Sequence, residues 1–441
     1  MNKTTLFFLL LLTVVSFEIR PQDGFDFLNK EKKQQIISFK LINNLIVIPL
    51  EINGKKLSFI LDSGVTKTIL FNITQNDSLG LNNIERVILR GLGKDRPVDA
   101  LLSRNNKIAI KGIVNSNEPI YVILKDNFDL SGKMGITIHG ILGFNLLKNL
   151  LVKINYSNKK ITFYNPKKTT LKKCRKCEVF PLEFHKKKPY IDAQVQVDTL
   201  GSKLTNVKLL VDSGGSDVVW LFEGTKENIR TPKKFYIDIL GEGLSGVIYG
   251  NRSRIPKIKL KSFEINNPTV SFLDSVSTKN ARNFKKRNGS IGAGLLRNFI
   301  VWFDYPNYKM MLKKNGSFKK EFQYDMSGLE VVYNGKELVK EDQVKSYATS
   351  SNSNSVKFIT SFTYKFKPSY KVKGVLKGSP AAIAGLLKDD VVLKINNSLA
   401  TDLSLERIIQ KFQEKNGKKI KITIKRNGKK IKFEFKLKKR V

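Results

Sequence analysis

The chain has 441 residues, enough for two or three domains that each bury a core. Hydrophobic residues make up 41% and aromatic residues 10%, which excludes a largely disordered chain. The formal net charge is +41, but the lysines run from end to end and alternate with apolar residues, so we interpret them as solvated strand faces and expect no nucleic-acid partner.

Residues 1–17 predict a secretory signal peptide. A basic start precedes an apolar run of roughly 13 residues, too short for a comfortable membrane span, and charge returns at Glu18. No A-x-A cleavage site is evident, so an uncleaved N-terminal anchor is the alternative. We expect an exported protein, periplasmic or extracellular, with a short N-terminal segment at residues 18–39.

A β-hairpin leads to a polar triplet, and the chain carries this plan twice. In "LIVIPLEINGKKLSFILDSG" two alternating apolar runs flank an Asn53-Gly54 turn, and the second run ends at Asp62. "YIDAQVQVDTLGSKLTNVKLLVDSG" repeats the plan before Asp212. A glycine-marked turn follows each aspartate, "RGLGKD" and then "LGEGLSG". The pattern predicts mainly β structure.

A second pair of segments repeats at almost the same spacing. Gly140 to Phe163 aligns without gaps with Gly289 to Leu312, an offset of 289 − 140 = 149, whereas the aspartates are offset by 212 − 62 = 150. Two motifs with nearly one offset predict two homologous lobes related by pseudo-two-fold symmetry. We assign lobe 1 to residues 40–168, a linker to 169–178 and lobe 2 to 179–318.

The two cysteines, Cys174 and Cys177, lie in the linker. A zinc site needs about four ligands, and His139 and His185 are not at ligand spacing, so we expect no metal and no cofactor. A redox C-x-x-C pair needs a thioredoxin-like setting, which is missing. In an exported protein we therefore predict a local disulfide.

These motifs resemble the pepsin/retropepsin-like aspartic peptidases, and with a C-terminal PDZ domain the layout is similar to bacterial exported aspartyl proteases. In that family each lobe contributes an apolar-apolar-Asp-Thr/Ser-Gly loop and a later apolar-apolar-Gly motif. Here these are "ILDSG" with "ILG", and "LVDSG" with "SIG". The resemblance covers about residues 40 to 315. It implies a mainly β, bilobal fold.

The resemblance implies an aspartic endopeptidase that cleaves polypeptides with water activated between Asp62 and Asp212. Two carboxylates held close together cannot both ionise, so they share one proton. One accepts a proton from water while the other polarises the substrate carbonyl. A single chain supplies both groups, so no homodimer is required. A serine or cysteine peptidase would need a histidine base, and neither histidine has such a setting.

Supporting roles for the neighbouring residues also follow from the resemblance. Glycines let backbone amides approach the carboxylates, serine hydroxyls bond across the lobe boundary, and the later glycines pack beneath the aspartate loops. The residues are Ser63, Gly64 and Gly143 in lobe 1, and Ser213, Gly214 and Gly292 in lobe 2.

Two departures from the family pattern stand out. Pepsin-type members usually carry a hydroxyl residue three positions after each aspartate, where this chain has Val65 and Gly215. Without that hydrogen bond the lower pKa of the pair should rise, which predicts a mildly acidic to near-neutral optimum. The substrate flap, predicted at Gly91, Leu92 and Gly93, lacks the typical tyrosine.

Residues 319–441 resemble a PDZ domain of α+β class with an insertion at about 334–369. "GSPAAIAGL" predicts a turn and helix start, with Ser379 as cap and Pro380 at the first helical position. Asp389 and Asn397 replace glycines of the family, and both residue types tolerate left-handed backbone. Gly328 and Leu329 in "SGLEVVY" are the candidate peptide-binding loop.

Two questions stay open at this level. The C-terminal domain either binds a C-terminal peptide or braces the lobes. The chain is either an active peptidase or an inactive peptide-binding or assembly factor that uses the same cleft. The presence of both aspartates favours the enzyme.

Overall fold

The computed structural model describes residues 24–73, 79–89, 98–124, 129–170, 174–198, 200–243, 246–348 and 356–441; at 242–243, 343–348 and 356–359 it describes the backbone alone. The predicted signal peptide and the flap residues Gly91, Leu92 and Gly93 lie outside these ranges. Within the described ranges, no helix is long and apolar enough to cross a membrane.

The fold is mainly β, as the alternating sequence predicted. The strands are β1 (Asp26–Phe27), β2 (Gln34–Ser38), β3 (Lys40–Ile42), β4 (Leu45–Ile52), β5 (Lys55–Leu61), β6 (Thr68–Leu70), β7 (Asn82–Leu89), β8 (Val98–Ile110), β9 (Ile113–Val122), β10 (Gly140–Leu142), β11 (Leu151–Asn155), β12 (Lys160–Tyr164), β13 (Cys177–Pro181), β14 (Glu183–His185), β15 (Lys188–Gln196), β16 (Thr205–Asp212), β17 (Val219–Phe222), β18 (Tyr236–Gly243), β19 (Gly246–Arg254), β20 (Lys257–Leu260), β21 (Phe263–Asn266), β22 (Thr269–Leu273), β23 (Arg287–Gly292), β24 (Phe299–Asp304), β25 (Lys309–Lys314), β26 (Leu329–Ala348), β27 (Val356–Val375), β28 (Val391–Ile395), β29 (Ser398–Leu399), β30 (Lys419–Arg426) and β31 (Lys429–Lys436).

The helices of the described ranges are short. They are α1 (Leu130–Met134), α2 (Phe144–Leu147), α3 (Ala293–Leu296), α4 (Pro380–Ile383) and α5 (Leu405–Phe412), with 3-10 turns at Ala281–Asn283, Tyr305–Asn307 and Ala400–Asp402. The two helices α2 and α3 follow the two apolar-apolar-Gly motifs, so the duplication seen in the sequence extends to this detail.

Lobe 1 is a closed barrel. Strands β9, β6, β10, β5, β4 and β8 are hydrogen-bonded in that order, and β8 returns to β9. The Asn53-Gly54 turn joins β4 to β5 as predicted, with φ of 47° and 88°. Strand β10 runs parallel to β5, with Leu142 opposite Leu61. This pairing sets the "ILG" motif beside the aspartate that follows β5.

Lobe 2 repeats this arrangement around β16 and β23. The two strands are parallel, and Asp212 lies opposite Gly292 at their ends. Strands β18 and β19 form a long hairpin on one edge of the sheet, and β22 joins it to β17. Because the two lobes share one plan, each brings an aspartate to the end of a buried strand.

A six-stranded sheet joins the lobes, in the order β13, β25, β24, β11, β12, β2. Its central pair, β11 with β24, is antiparallel and comes from the two copies of the repeated segment, with Val152 opposite Phe303. One hydrophobic core runs through both lobes and this sheet. The lobes therefore form one packed unit with pseudo-two-fold symmetry.

The N-terminal boundary of the protease unit differs from the assignment made from the sequence. Strand β1 pairs with β9 and β2 pairs with β12, so residues within the predicted 18–39 segment belong to the protease sheets. The alternation in β2 is short, and only Gln35 and Ile37 of its five residues are buried. Such a brief pattern does not reveal its partner strand.

The linker carries the predicted disulfide. Cys174 and Cys177 are bonded to each other. Cys177 also begins β13, which pairs with β25 in the interlobe sheet. The bridge thus closes a small loop at the entry to the second lobe.

The C-terminal domain has its own sheet and its own core. The sheet order is β26, β27, β28, β30, β31, with β26 at the edge. Ser379 caps α4, accepting a hydrogen bond from the Ala382 amide, and Pro380 begins that helix. The predicted insertion extends β26 and β27 into a ribbon of two 20-residue strands.

Candidate active site

Asp62 and Asp212 meet at the floor of the cleft between the lobes. The Gly64 amide donates a hydrogen bond of 2.7 Å to Asp62 Oδ1. The amides of Gly214 and Gly215 donate to Asp212 Oδ1 at 3.1 and 2.9 Å. The two carboxyl groups are close neighbours, because a β-carbon on Gly64 would stand 3.0 Å from Asp212 Oδ1 and 3.2 Å from Asp62 Oδ1. Backbone amides thus hold each acid in a fixed orientation facing the other.

Ser63 and Ser213 lock the two aspartate loops together. The Ser63 hydroxyl donates to the Val211 carbonyl at 2.8 Å and accepts from the Ser213 amide at 3.0 Å. The Ser213 hydroxyl donates to the Leu61 carbonyl and accepts from the Ser63 amide, both at 2.9 Å. Both side chains are fully buried. Four crossed hydrogen bonds therefore fix the separation of the two carboxyl groups.

Glycine is needed at three positions in this region because other atoms occupy the space of a side chain. A β-carbon on Gly64 would stand 3.0 Å from the Cγ atom of Asp212. On Gly143 it would stand 2.1 Å from the carbonyl oxygen of Asp62. On Gly292 it would stand 2.2 Å from the carbonyl oxygen of Asp217. The aspartate loops thus pack directly against the glycines of the repeated motifs.

The surroundings of Asp62 favour its protonated form. Burial raises the pKa of this carboxyl to about 8, and the charge and hydrogen bond of Asp212 add to the increase. The Gly64 amide and the Lys188 ammonium act in the opposite direction. The proton on Asp62 is therefore retained up to neutral pH, next to the carboxyl of Asp212.

Several residues near the aspartates were missed in the sequence. Lys188 begins β15, and its charge interacts with both Asp62 and Asp212. Arg287 begins β23, is only 3% exposed and interacts with Asp212. Tyr190 and Tyr305 are buried nearby, and their pKa values are raised, chiefly by burial, with Asp212 and Asp62 contributing respectively. A chain with 79 lysines and arginines gives no sign of which two lie at the cleft.

A small cavity opens beside Asp212. Its lining residues are Asp212, Gly215, Asp217, Trp220, Ser290 and Gly292. Asp217 is held by the indole Nε1 of Trp220 at 2.6 Å and by Arg252 Nη2 at 3.0 Å. Arg252 also bonds to Asp238 at 2.6 Å, at the base of the β18–β19 hairpin. The cavity therefore has a rigid, charge-compensated wall next to the reacting groups.

No hydroxyl is found at the family's usual position after either aspartate, since Val65 and Gly215 occupy those places. The Gly215 amide replaces one such donor through its bond to Asp212. The Val65 amide instead bonds to the backbone carbonyl of Asp62 at 3.3 Å. Among the described residues no cluster of side chains suits a metal ion.

Gly328 and Leu329 lie in the C-terminal domain, where their amides already have partners. The Gly328 amide donates to Asp325 Oδ1 at 2.6 Å, and the Leu329 amide donates to Ser327 Oγ at 3.0 Å. The Ser327 amide also donates to Asp325 Oδ1, at 2.9 Å. A carboxylate of the chain itself therefore occupies the loop that was predicted to bind a peptide carboxylate.

Comparison with known families identifies two regions. Residues 48–146 match the aspartyl protease family model, and residues 371–426 match a PDZ domain model. A search of the curated proteins found no match. Among solved structures, the crystal structure of aspartic proteinase from Irpex lacteus is similar, with 11% identity and a TM-score of 0.42 over 66% of this chain and 99% of that one. The chain thus contains a segment that matches aspartyl proteases in lobe 1 and a C-terminal segment that matches PDZ domains.

Proposed function

We propose that this protein is an endopeptidase in which Asp62 and Asp212 activate a water molecule to cleave internal bonds of a polypeptide. The observation that carries this proposal is the close approach of the two carboxyl groups across the lobe boundary, where burial and the charge of Asp212 raise the pKa of Asp62. The four crossed bonds of Ser63 and Ser213 support it, because they keep the pair rigid.

The chemistry follows from one shared proton. The ionised carboxylate takes a proton from water while the water oxygen bonds to the scissile carbonyl carbon, and the protonated carboxyl donates to the carbonyl oxygen. In the second step one carboxyl gives its proton to the amide nitrogen and the C–N bond breaks. One hydroxyl of the tetrahedral diol returns its proton to the other carboxylate as the carbonyl re-forms in a carboxylic acid. The pair ends with one proton, ready for another cycle.

Cleavage of a denatured protein across a range of pH tests this proposal. We expect Asp62→Asn and Asp212→Asn each to lower kcat/KM at least about 10³-fold while the melting temperature stays close to that of the wild type. Ser216→Ala serves as a matched control in the same loop. Asn44 Nδ2 donates to the backbone carbonyl of Ser216, and alanine keeps that carbonyl. An inert wild type that still binds peptide would instead favour the inactive binding factor.

We further propose that the C-terminal domain braces both lobes. On lobe 1, Lys133 pairs with Glu330 at 3.5 Å, and Asp129 pairs with Lys373 at 3.6 Å. A β-carbon on Gly135, which follows α1, would stand 3.0 Å from the Leu405 β-carbon at the start of α5. Helix α1 thus contacts β26, the edge strand of the sheet, and Gly135 contacts α5. PDZ domains bind a peptide by adding it as a strand at such an edge.

Contacts with lobe 2 support the same role. The Arg440 guanidinium lies 3.7 Å from the ring centre of Tyr236, the first residue of β18. Arg254 Nη2, at the end of β19, donates to the Phe322 carbonyl at 2.7 Å. The domain therefore contacts the α1 region of lobe 1 and the β18–β19 hairpin of lobe 2, and the Asp325 carboxylate fills its binding loop.

Charge reversal across the lobe 1 contact tests the brace. Lys133→Glu with Asp129→Lys sets like charges against Glu330 and Lys373, and we expect faster amide hydrogen exchange in α1 and the start of β26. Lys168→Glu is the control, because it reverses one charge of the exposed salt bridge between Lys168 and Glu31. Unchanged exchange in the double variant, or tight binding of a C-terminal peptide by the wild type, would contradict the brace.

We also propose that the protein is exported. The apolar N-terminal run and the Cys174–Cys177 disulfide both support this, because disulfides persist in oxidising compartments. Mass spectrometry of the mature N-terminus after expression in a host with a secretion pathway tests it. Recovery of the full-length chain in the cytoplasm with reduced cysteines would contradict it.

A further inference from the structure

A half-buried lysine lies beside the aspartate pair. The turn at Lys186 and Lys187, both with left-handed backbone (φ 49° and 64°), reverses the chain between β14 and β15. Lys188 begins β15 two residues before Tyr190, so both side chains leave the same face of the strand. Tyr190 is buried opposite Leu210 of β16, the strand that ends at Asp212. This face of β15 therefore points toward the pair.

The charged groups around the pair come from several elements. Lys188 and Tyr190 come from β15, Arg287 comes from β23, and Tyr305 comes from the 3-10 turn after β24. Arg287 donates hydrogen bonds to the Gly289 carbonyl at 3.2 Å and to the Ser290 hydroxyl at 3.0 Å, both neutral oxygens, and it interacts electrostatically with Tyr190. Among the residues that the structure describes, the cations that interact with the pair are thus Lys188, which is partly exposed, and Arg287, which is only 3% exposed.

Lys188 interacts electrostatically with both acids. Burial lowers its pKa, and the neighbouring Arg287 lowers it further, whereas Asp212 and Asp62 raise it. The same interaction lowers the pKa of Asp62. A cation in this position compensates for the missing hydroxyl donors at Val65 and Gly215, because both favour the ionised form of the pair.

We propose that Lys188 is a positioning residue whose ammonium stabilises the single negative charge that Asp62 and Asp212 share. This inference rests on the proposed peptidase function and deepens it. Lys188 takes the electrostatic role that a hydroxyl donor next to the aspartates plays elsewhere in the family. It does not exchange protons with substrate or water.

The pH profile of kcat/KM tests the inference. Lys188 favours the anion, so its loss raises both apparent pKa values of the pair, and we expect both limbs of the bell to move upward by about one pH unit in Lys188→Met. Lys188→Arg keeps the charge and should leave both limbs close to wild type. Lys186→Met, in the exposed part of the same turn, is the matched control and should change neither limb.

The possible results separate the inference from the proposed function. If the wild type is active and needs both aspartates, but Lys188→Met leaves both limbs of the pH profile unmoved, the result refutes the role of Lys188 alone. A higher KM confined to peptides with acidic residues, with unmoved limbs, also overturns it and assigns Lys188 to substrate binding. If Lys188→Met is inactive, carbon-13 NMR titration of the Asp62 carboxyl gives the answer, since an unchanged titration refutes the inference.

Discussion

The Cγ atom of Asp62 lies 2.1 Å from the point where a β-carbon on Gly214 would stand. A methyl group there must displace the carboxyl of the opposite lobe, so we expect Gly214→Ala to lower kcat/KM at least about 10²-fold by misaligning the pair. Gly316→Ala is the control, because its β-carbon would meet no atom within 4 Å. Wild-type kinetics in Gly214→Ala would show that the two loops do not approach this closely.

The crossed serine bonds predict a large and non-additive loss of stability. Ser63→Ala removes two hydrogen bonds and leaves the Val211 carbonyl and the Ser213 amide buried without partners. We expect a loss of about 2–4 kcal/mol in the free energy of unfolding, measured by urea denaturation.

Ser63→Thr keeps the hydroxyl and is the control for this loss. Ser213→Ala should cost a similar amount, and the double variant should cost less than the sum, because both serines belong to one network. Strictly additive losses would mean that the two hydroxyls act independently.

The pH optimum follows from the raised pKa of Asp62. The active pair carries one proton, and it loses that proton only as the pH rises through the upper pKa, which burial and Asp212 set near 8. We therefore expect kcat/KM to peak at mildly acidic to near-neutral pH and to fall on the alkaline side. Peak activity below pH 3 would contradict this expectation.

Asp325 predicts pH-dependent stability in the C-terminal domain. Burial raises the pKa of this carboxyl from 3.8 to about 6, although the Gly328 amide and Ser327 hydroxyl oppose the increase. The folded state then binds its proton more tightly than the unfolded state, so stability falls as the pH rises from about 4 to about 6 and levels off above.

Comparison with Asp325→Asn isolates this contribution. We expect the wild type to lose about 1–3 kcal/mol more than the variant between pH 4 and pH 7, measured as the free energy of unfolding. If the free energy of unfolding changed with pH equally in the two proteins, the hydrogen bonds of the loop would fully cancel the effect of burial on the pKa of Asp325.

Local patterns in the sequence predicted features that depend on adjacent residues. The Asn53-Gly54 turn and the Ser379 cap both follow from neighbours in the chain. Asp389 has the left-handed backbone expected of it (φ 69°). At the next turn the left-handed residue is Asn396 (φ 52°), one position before Asn397, because β28 continues to Ile395 and sets where the turn begins.

Features that depend on distant residues were less accessible. The meeting of Asp62 and Asp212 was predictable because two copies of one plan fold alike. Lys188 was not, because it belongs to the lysine-rich turn "FHKKKPY" and only its three-dimensional neighbours distinguish it from Lys186. The Asp325 carboxylate in the PDZ loop also required coordinates, since the same residues are compatible with an open loop.

The hydrogen-bonded pairing of β11 with β24 bears on synthesis and ancestry. While the ribosome is still adding lobe 2, the completed first half of the chain has β11 paired with β12 on one side and unpaired on the other. Such an open sheet edge is a known template for aggregation. This edge stays exposed until β24 has been synthesised and pairs with it, unless a chaperone covers it. The same edge would also pair two identical copies of a single lobe about an exact two-fold axis. An ancestor with one lobe would form a dimer through this edge.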